Sequence, residues 1–461
     1  MTLPRGWADV TLRDVVELKY GKSLPDKTRQ DGDVPVYGSN GKVGVHSEAL
    51  TLGETIIVGR KGSAGKVHCS SRPCYPIDTT YYVDEFAVAD IGFVAPLLVS
   101  LGLDKLDRAT AVPGLNREEA YSLKVNLPPL AEQRRIVAKL DALTARITRA
   151  RAELDRVPIL AEKMRAATLK AGVTGALTHD WRQVRPQESV ETMLLRIPSP
   201  TQGRGGREAT DKLIKGSAGL SVNDPGTPLP EDWKWVPLLR LARQETGHTP
   251  SRSQPSYWDG GVPWIGIKDA GAHHGRIINE TFQTITEEGL ENSSARLLPK
   301  DTVCLSRTAS VGYVTIMGRT MATSQDFATW TCTDALMPEY LMYALMAEGD
   351  DIRKFGMGST HTTIYFPEIR ALHIALPPIA EQREIIRSIS SALARADRLE
   401  SEAARSKALL DHLESALLAR AFRGELVPQN PEDEPATNLL ARIRASRATT
   451  QKPARARRKT G

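Results

Sequence analysis

The sequence predicts an α+β fold made of two similar halves, each a globular domain followed by a long helix. Residues 127–137 (LPPLAEQRRIV) recur as residues 376–386 (LPPIAEQREII), at an offset of 249 residues. The same offset relates Gly175 to Gly424, so two copies of one long element are present with no net insertion between them. Apolar residues follow the repeated start at alternating spacings of four and three, which is the pattern of a coiled-coil seam.

The duplicated element is expected to form a helix with a marked beginning. Paired prolines suit a first turn, and Glu132 and Glu381 then stand where the helix dipole favours negative charge. Pro158 is expected to bend the first copy only. We predict long helices within residues 127–178 and 376–428 that pair with each other. Packing of each helix on its own half is the alternative.

The remaining chain divides into two domains and a connection. Short apolar runs broken by glycine-rich turns, such as residues 55–58 and 80–83, predict strands in a first domain of residues 1–126. A second domain is predicted over residues 229–375. Residues 179–228 are predicted to be a flexible linker, because their second part is rich in Gly, Pro and Ser.

Composition places the chain among soluble globular proteins of two or more domains. It has 461 residues, of which 41% are hydrophobic and 25% charged, with no apolar run of membrane-spanning length and no apolar signal core. We therefore expect a cytoplasmic protein with four reduced cysteines. The net charge of +6 arises from eight basic residues after residue 441, without which it is −2. Residues 429–461 are thus predicted to be a basic, disordered tail that contacts polyanions without selectivity.

The two domains repeat more loosely than the helices do. Residues 60–67 (RKGSAGKV) align with residues 307–314 (RTASVGYV), and residues 77–80 align with 324–327. Scaffold positions match while loop residues differ. Two related scaffolds with different loops suggest recognition of two different things.

This order of a domain, a Leu-Pro-Pro-(Leu/Ile)-Ala-Glu-Gln-Arg helix, a second domain and a second such helix resembles the specificity subunit of type I restriction-modification systems. The resemblance covers essentially the whole chain; Pro158 and the basic tail depart from it. It implies two α/β target recognition domains that read the two halves of a split double-stranded DNA target and are separated by antiparallel helices.

The resemblance also implies partners. Two adenine methyltransferase subunits are expected to dock on the helices, and motor-nuclease subunits to join the complex. S-adenosylmethionine, ATP and Mg are expected on those partner subunits, with no cofactor on this chain. The expected partner-binding residues are the repeated polar ones of the helix start: Glu132, Gln133, Arg134, Glu381, Gln382 and Arg383.

The DNA-binding candidates are cations and polar side chains on loops, where glycines permit close approach to phosphate. In the first domain they are Asn40, Lys42, Arg60, Lys61, Ser63 and Lys66. In the second they are Arg252, Lys268, Arg307, Ser310, Gln325, Thr360 and His361. Gln325 is a candidate for reading adenine or a phosphate. Structural turns remain the alternative for these loops, and a hairpin turn for Asn40 and Lys42.

Catalytic motifs are not evident. Residues 59–66 fail as a phosphate-binding P-loop because Arg60 stands where the first glycine belongs. Leu127 interrupts a likeness to the Asn-Pro-Pro-aromatic motif of adenine methyltransferases, and His273 and His274 lack a third metal ligand nearby. Two alternative functions remain: a self-sufficient DNA methyltransferase or nuclease, and a helical assembly scaffold.

Overall fold

The computed structural model describes residues 3–106, 114–185, 188–203, 208–308, 310–358 and 362–450, with side chains described up to residue 445. The chain forms two compact units, one of Met1–Asp155 with Ala404–Gly461 and one of Arg156–Ala403. Both boundaries fall inside long helices. Each unit therefore holds one globular domain together with a part of each long helix.

The first unit is built on three small sheets. Its strands are β1 (Ala8–Thr11), β2 (Lys19–Tyr20), β3 (Val34–Gly38), β4 (Gly41–His46), β5 (Thr55–Gly59), β6 (Val67–Ser70), β7 (Tyr75–Pro76), β8 (Thr80–Val83) and β9 (Lys124–Leu127). Its helices include α1 (Leu12–Val15), α2 (Ile91–Ser100), α3 (Arg117–Tyr121) and the first part of α4 (Leu130–Val173). The sheet orders are β1-β9, β2-β8-β5-β6 and β4-β3-β7, with β3 and β7 parallel. The strands predicted at residues 55–58 and 80–83 are confirmed as β5 and β8.

The second unit repeats this plan with additions. Its strands are β10 (Ile214–Lys215), β11 (Leu220–Val222), β12 (Lys234–Pro237), β13 (Ala242–Thr246), β14 (Trp258–Ile265), β15 (Ile277–Ile278), β16 (Gln283–Ile285), β17 (Val303–Ser306), β18 (Val314–Met317), β19 (Ala322–Thr323), β20 (Phe327–Cys332) and β21 (Leu372–Leu376). Its short helices are α5 (His179–Gln183), α6 (Val190–Arg196), α7 (Leu238–Leu241), α8 (Ile267–Ala272), α9 (Glu287–Glu291), α10 (Pro338–Ala347) and α11 (Phe366–Arg370). The order β13-β20-β17-β18 matches β2-β8-β5-β6 of the first unit, which confirms the repeated scaffold.

The two long helices are α4 and α12 (Ile379–Phe422), each of 44 residues. Both begin directly after the paired prolines, as predicted. Both end shortly before a glycine in the left-handed region, Gly175 at φ +78° and Gly424 at φ +75°, which only glycine adopts without strain. Helix α4 continues through Pro158.

The long helices pair in an antiparallel arrangement within each unit. In the first unit, Arg151 donates to Asp411 at 2.6 Å and to Glu414 at 2.8 Å, and Asp155 meets the earlier Lys407. As α4 advances by a turn, its partner on α12 therefore retreats by a turn.

In the second unit, Arg165 donates to both Asp397 and Glu400 at 2.6 Å. Further along α4, Gly172 packs on Ile389 of the first part of α12. The predicted antiparallel pairing is confirmed in both units.

Each long helix also contributes to the core of a domain. Ile136 and Leu140 of α4 are buried in the core of the first domain, as is Ala421 of α12. Ile385 and Ile389 of α12 are buried in the core of the second domain. Pairing and packing on the domain, posed as alternatives from the sequence, thus occur together.

The predicted linker differs from the structure. Within residues 179–228 the chain forms α5, α6, β10 and β11, and β11 pairs with β21 in the sheet of the second domain. Val190 and Val222 are fully buried there. Composition suggested flexibility, but a few apolar side chains in this segment are enough to dock it on the core.

The predicted disordered tail also differs in its described part. Residues after α12 form α13 (Ala436–Thr450), and Ala436 and Leu440 of this helix are buried in the core of the first domain. The helix buries an apolar stripe among its basic residues, which net charge alone does not reveal. Residues 451–461 lie outside the described residues.

Candidate nucleic-acid interface

Several strand ends and loops of the first domain meet at one end of its central sheet. Gly59 lies opposite Thr80, and Tyr20 lies opposite Tyr81, so β5 and β2 end, and β8 begins, at this end of the sheet. Residues 60–66 form a compact loop between β5 and β6, closed by Gly59 N, which donates to Lys66 O at 2.8 Å. We call Tyr20, Asn40 and residues 60–66 the loop cluster of the first domain.

The second domain builds the equivalent loop with the same main-chain hydrogen bonds. Ser306 N donates to Tyr313 O at 2.8 Å, which corresponds to the bond from Gly59 to Lys66. The main chains of Arg60 and Arg307 make equivalent hydrogen bonds. Arg60 N donates to Thr79 O, and Arg60 O accepts from Leu115 N, both at 2.9 Å. Arg307 N donates to Asp326 O, and Arg307 O accepts from Ile364 N, both at 2.8 Å. The backbone frame is thus the same in both domains, and the side chains it carries differ.

Three of the predicted residues of the first domain converge on one another. The Oδ1 atom of Asn40 accepts from Lys66 Nζ at 2.9 Å and from Ser63 Oγ at 3.4 Å. Lys42 and Lys61, which lie within two residues of these three in the sequence, have exposed side chains. Asn40 therefore links the β3–β4 turn to the loop after β5.

Arg60 lies in an aromatic setting that the sequence did not indicate. Its guanidinium carbon lies 5.2 Å from the ring centroid of Tyr20, and that of Arg117 lies 4.8 Å from the same ring. Tyr20 is 48% exposed, and the buried Nε of Arg117 has no hydrogen-bond partner among the described residues. Two cations therefore lie against one exposed aromatic ring. Arg117 follows α3's cap in sequence, so nothing local in the sequence connects it with Arg60.

Arg307, the counterpart of Arg60, is more enclosed. Its Nη2 donates to the main-chain oxygen of Gln325 at 3.0 Å, and its guanidinium carbon lies 4.5 Å from the ring centroid of Phe366. Burial lowers the pKa of Arg307 below its usual value, while the nearby charge of Asp326 opposes that shift. Phe366 occupies the position that Arg117 holds in the first domain, so the second domain has one cation where the first has two.

The second domain also carries a cleft of about 820 Å³ at this end of its sheets. Strands β14 and β19 are parallel, so their carboxyl ends open into it together. Three predicted residues line it: Arg252, Lys268 and Gln325. Arg252 lies over the ring of Trp258, 4.6 Å from its centroid.

Two other predicted residues of the second domain, Arg307 and Ser310, are not among the residues that line this cleft. Ser310 lies in the loop after β17, and its main-chain oxygen accepts a hydrogen bond from Ser306 Oγ. Thr360 and His361 lie outside the described residues. Sequence reasoning did not identify three of the cleft residues, Thr249, Trp264 and Gln283, because strand pairing brings them together from separate segments.

Four of the six expected partner-binding residues are buried within the protein instead. Glu132 is 1% exposed and accepts from Trp7 Nε1 at 3.0 Å and from Gln429 Nε2 at 3.3 Å. Glu381 is fully buried and accepts from Trp233 Nε1 at 2.9 Å and from Arg182 Nη2 at 2.6 Å.

Gln133 and Gln382 are fully buried as well. Their amide nitrogens donate to main-chain oxygens, at 3.0 Å to Pro128 and Pro377. This differs from the expectation of a surface for a partner: the repeated Glu-Gln pair fastens each helix start to its own domain. Arg134 and Arg383 are the exposed members of the set.

The described part of the chain contains no cluster of three or more His, Cys, Asp or Glu side chains that suits a metal ion. None of its helices is both long and apolar enough to span a membrane. What the two domains present are polar, cation-bearing loop edges on matched scaffolds, which is the arrangement of a protein that recognises nucleic acid.

Residues 4–156 and 230–406 match the family model described as the type I restriction modification DNA specificity domain, and the chain belongs to this family. It is 22% identical to the specificity subunit of the type I restriction enzyme EcoDI of Escherichia coli, with 97% of each chain covered. It is 24% identical to the StySPI specificity subunit of Salmonella potsdam, again over 97% of each chain.

Solved structures share the fold. A chain from work on complex assembly and conformational transition of the type I R-M system superposes with a TM-score of 0.63 at 20% identity, covering 92% of this chain and 100% of that one. The HsdS subunit of Thermoanaerobacter tengcongensis superposes with a TM-score of 0.58 at 19% identity, covering 92% and 98%. The α+β fold with long paired helices is therefore that of known specificity subunits.

Proposed function

We propose that this chain is the DNA-sequence specificity subunit of a type I restriction-modification complex and performs no chemistry itself. The observation that carries the proposal is the matched backbone frame around Arg60 and Arg307, which holds different side chains in the two domains. A shared frame with different side chains suits two readers of different sequences. The family membership and the names of its relatives support the same conclusion.

Each domain, under this proposal, reads one half of a split double-stranded DNA target. Residues 1–126 read one half through the loop cluster of the first domain, and residues 229–375 read the other half through the cleft and Arg307. Arginines and lysines of both domains contact phosphates and set the position of the protein, while the polar side chains beside them read base edges.

The chemistry belongs to partner subunits. Two adenine methyltransferase subunits dock on the long helices and carry S-adenosylmethionine, and motor-nuclease subunits bring ATP and Mg. The exposed Arg134 and Arg383, at equivalent positions of the two helix starts, are candidates for these contacts. A cytoplasmic location remains a prediction.

Sequencing that detects modified adenines tests the proposal directly. Cells that express this chain together with its methyltransferase subunits should carry adenine methylation at one bipartite motif. Cells with the methyltransferase subunits alone should lack it. Methylation or cleavage by the purified chain alone, or stoichiometric binding of S-adenosylmethionine to it in calorimetry, would show a self-sufficient enzyme. A chain that assembles with partners but never binds DNA would be a scaffold.

A further inference from the structure

The cleft of the second domain presents hydrogen-bond donors. Thr249 Oγ1 donates to Gln325 Oε1 at 2.5 Å, and Arg252 Nη2 donates to Gln283 Oε1 at 3.3 Å. Each glutamine amide oxygen thus accepts one hydrogen bond from within the protein, and the amide nitrogen of each is a donor that can bind a ligand. Lys268 is exposed at the cleft and can only donate.

The two carboxylates that line the same cleft, those of Asp269 and Asp326, accept hydrogen bonds from within the protein. Asp269 is 2% exposed and accepts from Gly266 N at 2.9 Å and from Phe282 N at 2.7 Å. Asp326 accepts from Ser324 Oγ at 3.0 Å, and its charge acts on the neighbouring Arg307. The ligand that complements this cleft is therefore rich in acceptors.

Arg252 is held in one orientation by aromatic rings. Its guanidinium carbon lies 4.6 Å from the ring centroid of Trp258 and 5.7 Å from that of Trp264. The two rings meet edge to face with their centroids 5.2 Å apart, and Trp264 Nε1 is anchored by donation to His248 O at 3.0 Å. A planar guanidinium fixed in this way offers a fork of donors to two adjacent acceptors.

We propose that this cleft selects a guanine in the half of the target that the second domain reads, with Arg252 as the selecting residue. The inference rests on the proposed function. In the major groove guanine presents two adjacent acceptors, whereas adenine and cytosine present an amino group that would face the donors of the cleft. Gln325 Oε1 already accepts from Thr249 Oγ1, so a paired contact of Gln325 with adenine would require this oxygen to accept a second hydrogen bond.

Phosphate oxygens are also acceptors, and the experiment must separate the two sources. A guanine contact affects one position of the target, whereas a phosphate contact affects all sequences alike and lowers the salt dependence of binding. The parental methylation motif is first compared with those of Arg252→Ala and Arg252→Lys. Arg319→Ala is the matched control, since Arg319 is exposed and precedes β19, at the opposite end of that strand from the cleft.

The expected result is a guanine in one half of the parental motif and a loss of about ten- to hundredfold in its selection by both Arg252 variants, with the other half unchanged. Lysine keeps the charge but not the fork, so equal selectivity in Arg252→Lys overturns the proposal. Uniform weakening in Arg252→Ala without loss of selectivity indicates a phosphate contact and overturns it too. A bipartite motif without guanine in either half overturns this inference alone, whereas no bipartite motif at all removes the proposed function first.

A duplex that carries 7-deazaguanine at that position provides an atomic test. This base lacks the ring nitrogen that accepts in the major groove but pairs normally. The methyltransferase complex with the parental chain should bind the substituted duplex about tenfold more weakly. With Arg252→Ala the two duplexes should bind equally, because the interacting atom pair is already broken. Equal sensitivity of both complexes to the substitution would show that Arg252 does not contact this base.

Discussion

The two repeated glutamates differ in the charge of their surroundings. Glu381 accepts from the guanidinium of Arg182, whereas the hydrogen-bond donors to Glu132 are the neutral side chains of Trp7 and Gln429. Burial raises the pKa of Glu132 above its ordinary 4.5, while its hydrogen bonds oppose that shift. The same motif residue thus carries a buried ion pair in one domain and a less favoured charge in the other.

We predict that Glu132→Gln changes the pH dependence of stability. Because its pKa is raised on folding, the folded state binds the proton more tightly than the unfolded state does, and stability falls as pH rises from about 4.5 through the raised value. Glutamine does not titrate, so the stability of Glu132→Gln relative to the parent should increase over that window. Denaturant unfolding at pH 4 to 7 measures this. Glu381→Gln is the matched control: it leaves Arg182 unpaired and should cost about 1.5–3 kcal/mol at pH 7. If the stability of Glu132→Gln and of the parent changed with pH in parallel, the pKa of Glu132 would not be raised on folding.

A second residue-scale prediction concerns the equivalent arginines. Arg60→Ala and Arg307→Ala should each weaken DNA binding by the complex and lower its salt slope by about one unit if each contacts a phosphate. Arg72→Ala serves as the control for Arg60→Ala. Arg72 is exposed and lies in the first domain, as Arg60 does, but it follows the end of β6 that is remote from the Arg60 loop. Fluorescence anisotropy over a salt series gives the slope. An unchanged slope in Arg60→Ala would exclude the phosphate contact.

At the scale of elements, the glycines after the long helices are predicted to be irreplaceable. A Cβ on Gly175 would lie 2.6 Å from Pro230 Cγ, and one on Gly424 would lie 2.6 Å from Pro4 Cγ. Gly226 has φ +59° and no neighbour within 4 Å of a Cβ, so Gly226→Ala incurs only the backbone cost of about 1–2 kcal/mol. Gly175→Ala and Gly424→Ala should lower the melting temperature further than Gly226→Ala does. Equal shifts in melting temperature would mean that Pro230 and Pro4 move away from the added Cβ atoms with no loss of stability.

Helix α13 is predicted to be part of the first domain and not an appendage. Leu440 is 5% exposed, so Leu440→Ala should destabilise that domain by about 2–5 kcal/mol. Arg442, exposed on the same helix and paired with Glu434, is the control, and Arg442→Ala should stay within about 0.5 kcal/mol. Thermal unfolding of both variants decides the matter. A Leu440→Ala protein as stable as the parent would restore the expectation of a loose tail.

At the scale of the whole molecule, the duplicated scaffold predicts exchangeable specificity. Replacing residues 1–126 with the corresponding domain of another family member should change one half of the methylated motif and leave the other half intact. The exchange must respect the contacts of α12 and α13 with the first domain, since Ala421, Ala436 and Leu440 belong to its core. Replacing residues 229–375 is the reciprocal control and should change the other half. A change of both halves by either exchange would show that the domains do not read independently.

Much of the architecture was predictable because it depends on local and periodic signals. The constant offset between the two copies, the paired prolines and the final glycines are visible in the chain, and the helices begin and end where these signals stand. The strands at residues 55–58 and 80–83 are apolar runs between turns, and these too are local.

Burial and convergence were decided only by the tertiary structure. Glu132 and Glu381 looked like surface residues of a helix start, yet a tryptophan far away in sequence donates to each of them in the interior. Thr249, Arg252, Gln283 and Gln325 come from three segments of the chain, and strand pairing brings these segments to one cleft. Sequence therefore determined the repeat, the helices and the family resemblance, since these are written in neighbouring residues. Which polar groups face inward and which donors meet in a cleft depends on contacts between distant segments, and only the folded chain makes those.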